Sequence, residues 1–294
     1  MYDCHFHHDP DVVPLDGLIA SMDAHGIERT AVIPPLCVDI EGTKFAEIGI
    51  GLFRRGITSR IRPLRRAWRA LYNSWPREGN QVDIGGKLYD IASQPDNEPV
   101  LEAVEQHPDR LWGWIFVNPE GPSDPLREIE RCSAVPGMIG VKAHPFWHRY
   151  PVRKLMDTAA LCRDKGLPML IHLGAGEYGD FKLLPEKLPG LKVLYAHAGL
   201  PYQTAVCDYT RTSGGRNVFV DLACTAYVDQ RIAAMALEVA GPARCLFGTD
   251  GPYFHHANGR FDFSECLEVV TGQDLSEADK RRVLRDNFLK LVNG

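Results

Sequence analysis

The chain has no apolar run near the roughly 18 residues that span a membrane, so no membrane association is expected. Its amino terminus, MYDCHFHHDP, lacks the basic and apolar regions of a signal peptide, and a cytoplasmic location is the expectation. Eight cysteines occur, at 4, 37, 132, 162, 207, 224, 245 and 266, but none forms a CxxC pair. Most sit in apolar stretches such as ARCLFG and LACTA. That speaks for buried free thiols and against a disulfide framework. No Gly-rich phosphate loop follows the first apolar segment, which counts against an open dinucleotide-binding sheet. A net charge of −5 carries no general signature for nucleic acid.

What is there is a core-forming chain of 294 residues, 45% hydrophobic and 24% charged. Short runs rich in Val, Ile and Phe recur, each ending on a small, polar or metal-binding residue: 2–7, 29–35, 110–118, 137–144, 167–172, 191–197, 217–223 and 244–250. Nearly continuous apolar runs are how parallel strands covered on both faces look. Helical patterns fill the gaps. The segment 15–26 places Leu15, Leu18, Ile19 and Met22 on one side and ends on Gly26. Asn97 is placed to cap the helix that follows it, and Ser276 with Asp279 resembles a capping box opening a final helix with Val283, Leu284, Phe288 and Leu291 on its apolar side.

From residue 118 onward the strand ends recur every 25 to 28 residues, which suits one strand, one helix and two loops. Eight such units close most naturally into a single (β/α)8 barrel, a TIM barrel of the α/β class, spanning 1–294. One interval, from 35 to 118, is 83 residues long. It implies an insertion after strand 2 at roughly 37–96. This insertion is Arg-rich, with Arg54, Arg55, Arg60, Arg62, Arg65, Arg66 and Arg69, and a helical reading follows. A solvated helix face is the plain account of the run; an anionic substrate or a partner subunit in a homo-oligomer is the other.

Nine of the eleven histidines lie at or just beyond a strand's carboxyl end, the active-site face of such a barrel. His5 and His7, two apart on a strand, point to one face. His172 adds an imidazole from strand 5 and Asp250 a carboxylate from strand 8. Three nitrogens and one oxygen suit one divalent ion, zinc first, with manganese or iron also fitting. Alternation points Cys4 away from the two histidines and makes it structural. Asp250 is placed to bind the ion and to accept the proton of attacking water; His197 is placed to polarise a carbonyl or hold that water. Lys142, His144 and Tyr253 are the candidates for holding a small-molecule substrate.

The order DCHFH, GVKAHP, LIHLG, YAHAG and FGTDGPY resembles the amidohydrolase superfamily, and within it the branch of aminocarboxymuconate semialdehyde decarboxylase, resorcylate-type decarboxylases and 2-pyrone-4,6-dicarboxylate lactonase. The resemblance covers 1–35 and 97–294; the insertion matches nothing nameable. It implies a hydrolase in which metal-bound hydroxide attacks an amide, lactone or related bond of a small, acidic organic substrate. Non-oxidative decarboxylation is the alternative. Many decarboxylases of the branch carry ExH on strand 1 where this chain has HxH, which favours hydrolysis. A metal-free lactonase or a noncatalytic barrel are the remaining readings. Binuclear members of the superfamily imply a second arrangement, in which carboxylated Lys142 bridges two metals and His197 binds the second; a single ion is the preferred expectation.

Overall fold

The structure is a computed structural model that describes residues 1–37, 44–59, 61–77, 79–84 and 86–293. Strand β1 (Tyr2–His7) leads through helix α1 (Leu15–His25) to β2 (Arg29–Ile33). The insertion follows, with α2 (Lys44–Ile57), α3 (Arg62–Tyr72) and the short strands β3 (Pro76–Arg77), β4 (Gln81–Ile84) and β5 (Lys87–Asp90). The alternation then resumes: α4 (Glu98–Gln106), β6 (Leu111–Phe116), α5 (Pro125–Cys132), β7 (Met138–Ala143), α6 (Met156–Lys165) and β8 (Met169–Ile171). After them come α7 (Leu183–Lys187), β9 (Val193–Tyr195), α8 (Gln203–Tyr209), β10 (Val218–Asp221), α9 (Gln230–Val239) and β11 (Cys245–Leu246).

Eight parallel strands run in the order β1-β2-β6-β7-β8-β9-β10-β11. The first and last meet through Cys4 N–H to Phe247 O, Asp250 N–H to His5 O and His7 N–H to Gly251 O, at 3.1, 2.7 and 2.7 Å. The expected (β/α)8 barrel is therefore the fold. Its strands are apolar on both faces for two different reasons. Ala31, Leu170, Leu194 and Leu246 fill the barrel interior with Trp114 and Phe116. Val32, Val141, Ile171, Val193 and Val220 pack outward beneath the helices. Among the described residues no helix is long and apolar enough to cross a membrane.

Local chemistry sets the boundaries. Helix α1 stops where Gly26 takes a left-handed φ of 67°, a conformation that costs glycine little. Ser276 caps as expected, its hydroxyl accepting from Asp279 N–H, and Val283, Leu284, Phe288 and Leu291 are buried. Asn97 departs from expectation. The helix does start after it, but its side chain makes no cap; it pairs with the backbone of Phe116 through both amide atoms, at 2.8 and 3.1 Å. Buried between α4 and β6, it gains more by satisfying a strand edge than by satisfying the first helical turn.

The segment between β2 and α4 is only partly helical. Strands β3, β4 and β5 form a separate antiparallel sheet. Its arginines divide. Arg55, Arg62 and Arg66 are exposed, as a solvated face requires, while Arg60 lies outside the described residues. Arg54 instead reaches the barrel, donating to Thr225 O and Ala226 O and pairing with Asp229 at 3.1 Å. Arg69 donates to Pro201 O and stacks over Tyr202.

Candidate metal centre

The register of β1 against β2 shifts between Asp3 and Phe6. That irregularity matters for the site. Cys4 packs with the barrel interior and Phe6 with the outer layer, so the simple alternation that would put Cys4 opposite the histidines does not hold. Cys4 sits in the interior beside them, its thiol pushed up by burial and without the character of a nucleophile. Gly248 makes room at this point: a Cβ there would lie 3.1 Å from that of His5.

His5 and His7 converge with Asp250, their ligand atoms all within 4.8 Å of one another. His5 Nε2 is 3.2 Å from Asp250 Oδ1 and His7 Nε2 is 3.5 Å from it. The far sides of the rings fix their tautomers. His5 Nδ1 meets Asp221 Oδ2 at 2.9 Å and His7 Nδ1 meets Pro34 O at 3.1 Å. Both partners accept only, so each Nδ1 carries the proton and each Nε2 turns a lone pair inward. Two lone pairs and a carboxylate oxygen this close call for a cation among them; Lys142 Nζ, 3.1 Å from His5 Nε2, is one that the chain itself supplies, and a divalent ion is another. The donor set thus fits a divalent metal.

His197 has the same design. Its Nδ1 meets Ala223 O at 3.1 Å, while Nε2 is buried without a hydrogen-bond partner and lies 3.7 Å from Asp250 Oδ2. His172 stands beside it, ring centroids 4.6 Å apart, but outside the trio of His5, His7 and Asp250. Its Nε2 is engaged by the Tyr72 hydroxyl at 2.8 Å. His144 stacks on His172 at 4.2 Å and receives Trp147 N–H on its Nδ1. Tyr253 lies against His7, centroids 5.7 Å apart.

Burial pushes His5 far below the ordinary imidazole range, helped by the charge of Lys142. Burial does the same to His172 and His144, helped by each other or by Lys142. Neutral imidazoles are the ligand form. Burial alone would raise the Asp250 carboxyl, but its interactions with His5, His197 and His7 outweigh burial and hold it ionised. Lys142 is fully buried, 3.1 Å from His5 Nε2, and burial draws it down to about 8 against the opposing pull of Asp250 and Asp221.

Three residues of this centre escaped the sequence reading. Asp221 closes β10 and orients two histidines at once: Oδ2 holds His5, and Oδ1 accepts the backbone N–H groups of His197 and Ala223. Asp3 accepts His5 N–H, Thr249 N–H and the Thr249 hydroxyl, tying β1 to the end of β11. A carboxylate inside an apolar strand was the available signal, because a buried one needs partners. Tyr72 had no signal. It enters from the insertion, by tertiary packing alone. The backbone is also strained here: His197, Cys224 and Asp250, none a glycine, have φ of 55°, 66° and 58°.

A cavity of about 540 Å³ opens above the centre, with His7, His144, His172 and Asp250 at its inner end. The insertion supplies much of the rest, including Phe53, Trp68 and Trp75.

Comparison with known proteins agrees with this architecture. A probable 2-pyrone-4,6-dicarboxylic acid hydrolase from Acinetobacter baumannii, with citric acid bound, superimposes with a TM-score of 0.58 at 13% identity, over 100% of this chain and 99% of its own. The 2,6-dihydroxybenzoate decarboxylase from Rhizobium gives 0.58 at 16%, covering 99% and 98%. A D314N variant of 5-carboxyvanillate decarboxylase from Novosphingobium aromaticivorans, with bound manganese, gives 0.57 at 18%, covering 94% and 80%. No curated protein matches the chain by sequence. These likenesses are of fold. The sequence pattern of the amidohydrolase family, however, matches residues 76–293, about three quarters of the chain, and this protein belongs to that family.

Proposed function

We propose that this amidohydrolase is a metal-dependent hydrolase that cleaves an ester, lactone or amide bond of a small organic substrate, with His5, His7, His172 and Asp250 as its metal ligands. The observation that carries the reading is an ionised carboxylate held among inward-turned imidazole lone pairs at the inner end of a cavity. Zinc suits that set best, and manganese or iron also fit. A divalent ion so held supplies Lewis acidity and lowers the pKa of water to about 7.

The chain's own groups divide the remaining work. Asp250 presents Oδ1 to His5 and His7 and leaves Oδ2, the oxygen nearer His197, to take the proton of attacking water. It then returns that proton to the leaving group. His197 Nε2, with its proton on the other nitrogen, accepts from water and fixes its approach. That favours water orientation over carbonyl polarisation for this residue, since a lone pair cannot donate. Lys142, a buried cation 3.1 Å from His5 Nε2, is the candidate to hold a polar substrate group that reaches the centre, while His144 and Tyr253 line the cavity itself.

Turnover of ester, lactone and amide panels, with carbon dioxide monitored, tests the proposal. Hydrolysis without carbon dioxide, lost by more than about a hundredfold in Asp250→Asn while metal stays bound, is the expected outcome. Turnover surviving in the metal-loaded variant contradicts the proton-transfer role. Release of carbon dioxide makes the reaction a decarboxylation.

A further inference from the structure

The arginine-rich insertion raises the question of whether the substrate is anionic along its length. Arg54 and Arg69, the arginines closest to the barrel rim, spend their guanidinium groups on Thr225 O, Ala226 O, Asp229 and Pro201 O. Among the described residues one arginine, Arg77, lines the cavity, and Asp83 pairs with it at 2.9 Å. Apart from this mutually paired Arg77 and Asp83, no charged residue of the insertion lines the cavity among the described residues.

What the insertion turns toward the cavity is aromatic and aliphatic. Phe53, Trp68 and Trp75 line it. They are held by a continuous stack in which Phe53 meets Tyr72 at 5.0 Å and Tyr72 meets Phe146 at 3.8 Å, nearly parallel. Trp75 closes on both Phe53 and Tyr72, at 4.9 and 5.3 Å. From the barrel side Trp147 and Tyr253 complete the wall. The apolar surface continues outward, because Leu52 and Leu71 line the cavity while remaining 55% and 48% exposed. The barrel's polar lining, His7, His144, His172 and Asp250, lies at the inner end, and the insertion adds Ser74 and the paired Arg77 and Asp83. A cavity of about 540 Å³ is in the range that encloses a ligand of drug size.

We infer that the insertion selects a substrate with a bulky apolar body, a fused aromatic or extended acyl group, joined to one hydrolysable polar group that reaches the metal centre. This rests on the hydrolase reading for the identity of the reacting bond, but the recognition of the apolar body does not. A small polycarboxylate meets a single arginine in the described cavity wall, Arg77, whose charge Asp83 already offsets. An apolar body slides between Trp68, Trp75 and Trp147, desolvating the centre as it enters.

Calorimetric titration of the purified protein with naphthalene-2-carboxamide and, separately, with citrate tests the inference without turnover. The carboxamide is expected to bind at least tenfold tighter than citrate. Trp75→Ala should weaken the carboxamide by a further tenfold or more and leave citrate unchanged. Leu71→Asp, at a half-exposed rim position that folding tolerates, should also weaken the carboxamide selectively and covers the case in which the tryptophan variant fails to fold. Citrate binding as tightly as the carboxamide, or a Leu71→Asp variant that binds the carboxamide as the parent does, overturns the inference. Failure of the hydrolase reading looks different: the carboxamide preference persists while 2-naphthyl esters and amides are not hydrolysed.

Discussion

At the scale of single residues the site is organised by partners behind the reacting face. Asp221 sets the orientation of His5 by its side chain and of His197 by its backbone. Asp221→Asn keeps the shape but gives up the charge that holds the proton on His5 Nδ1. Groups of this kind are worth 10- to 100-fold in metal affinity, and a loss of roughly that size is expected in a competition titration against a chelator. A loss below twofold would leave Asp221 a structural residue. Tyr72 works in the other direction. Its hydroxyl occupies His172 Nε2, one of the two nitrogens through which His172 could bind the ion. Tyr72→Phe removes the competitor, and with a net hydrogen bond worth about 1 kcal/mol the metal should bind roughly fivefold tighter. Unchanged affinity would show that His172 Nε2 is not a ligand atom. Of these groups the sequence displayed the histidines, Lys142 and Asp250, because strand ends can be read from apolar runs. It did not display their pairings, because Asp3 and Asp221, though visible as acids inside apolar strands, meet their partners only when the barrel closes.

At the scale of elements, the insertion is fastened to the barrel by a few polar contacts. Arg54 joins α2 to the loop before α9 through two carbonyls and Asp229. Arg54→Ala should cost about 1–3 kcal/mol of local stability and make the insertion cleavable by trypsin at concentrations that leave the barrel whole. Resistance equal to the parent would show that aromatic packing alone holds it. His148 ties the insertion's return to the loop after β7, its Nε2–H donating to Ala92 O at 3.0 Å. Burial draws this imidazole down from 6.5 to about 4. The folded protein thus binds fewer protons here than the unfolded chain. The contribution to stability is complete above pH 6.5 and is lost progressively as pH falls toward 4. Denaturant midpoints at pH 7.5 and 5 should differ less in His148→Gln, which keeps a donor but cannot titrate; an undiminished difference would assign the acid sensitivity to other groups. The insertion's position was legible as one over-long interval between strand ends. Its small sheet was not, because strands of two to four residues carry no period to read.

At the scale of the molecule, the regular spacing of strand ends was enough to indicate a closed barrel, since eight parallel strands with helical crossovers leave few other arrangements. The fine register was hidden. One shift in β1 reverses the alternation between Cys4 and His5, and no propensity signals it. Barrel and insertion line one cavity: His7, His144, His172 and Asp250 come from the barrel, and Phe53, Trp68 and Trp75 from the insertion.

The central claim is that His5, His7, His172 and Asp250 hold a divalent metal, and metal content per chain tests it most directly. Elemental mass spectrometry on protein purified without added metal, alongside a His5→Ala/His7→Ala double variant, should find about one ion per chain in the parent and none in the variant. A parent that stays metal-free on readdition, or a double variant that keeps the parent's ion, would contradict the account.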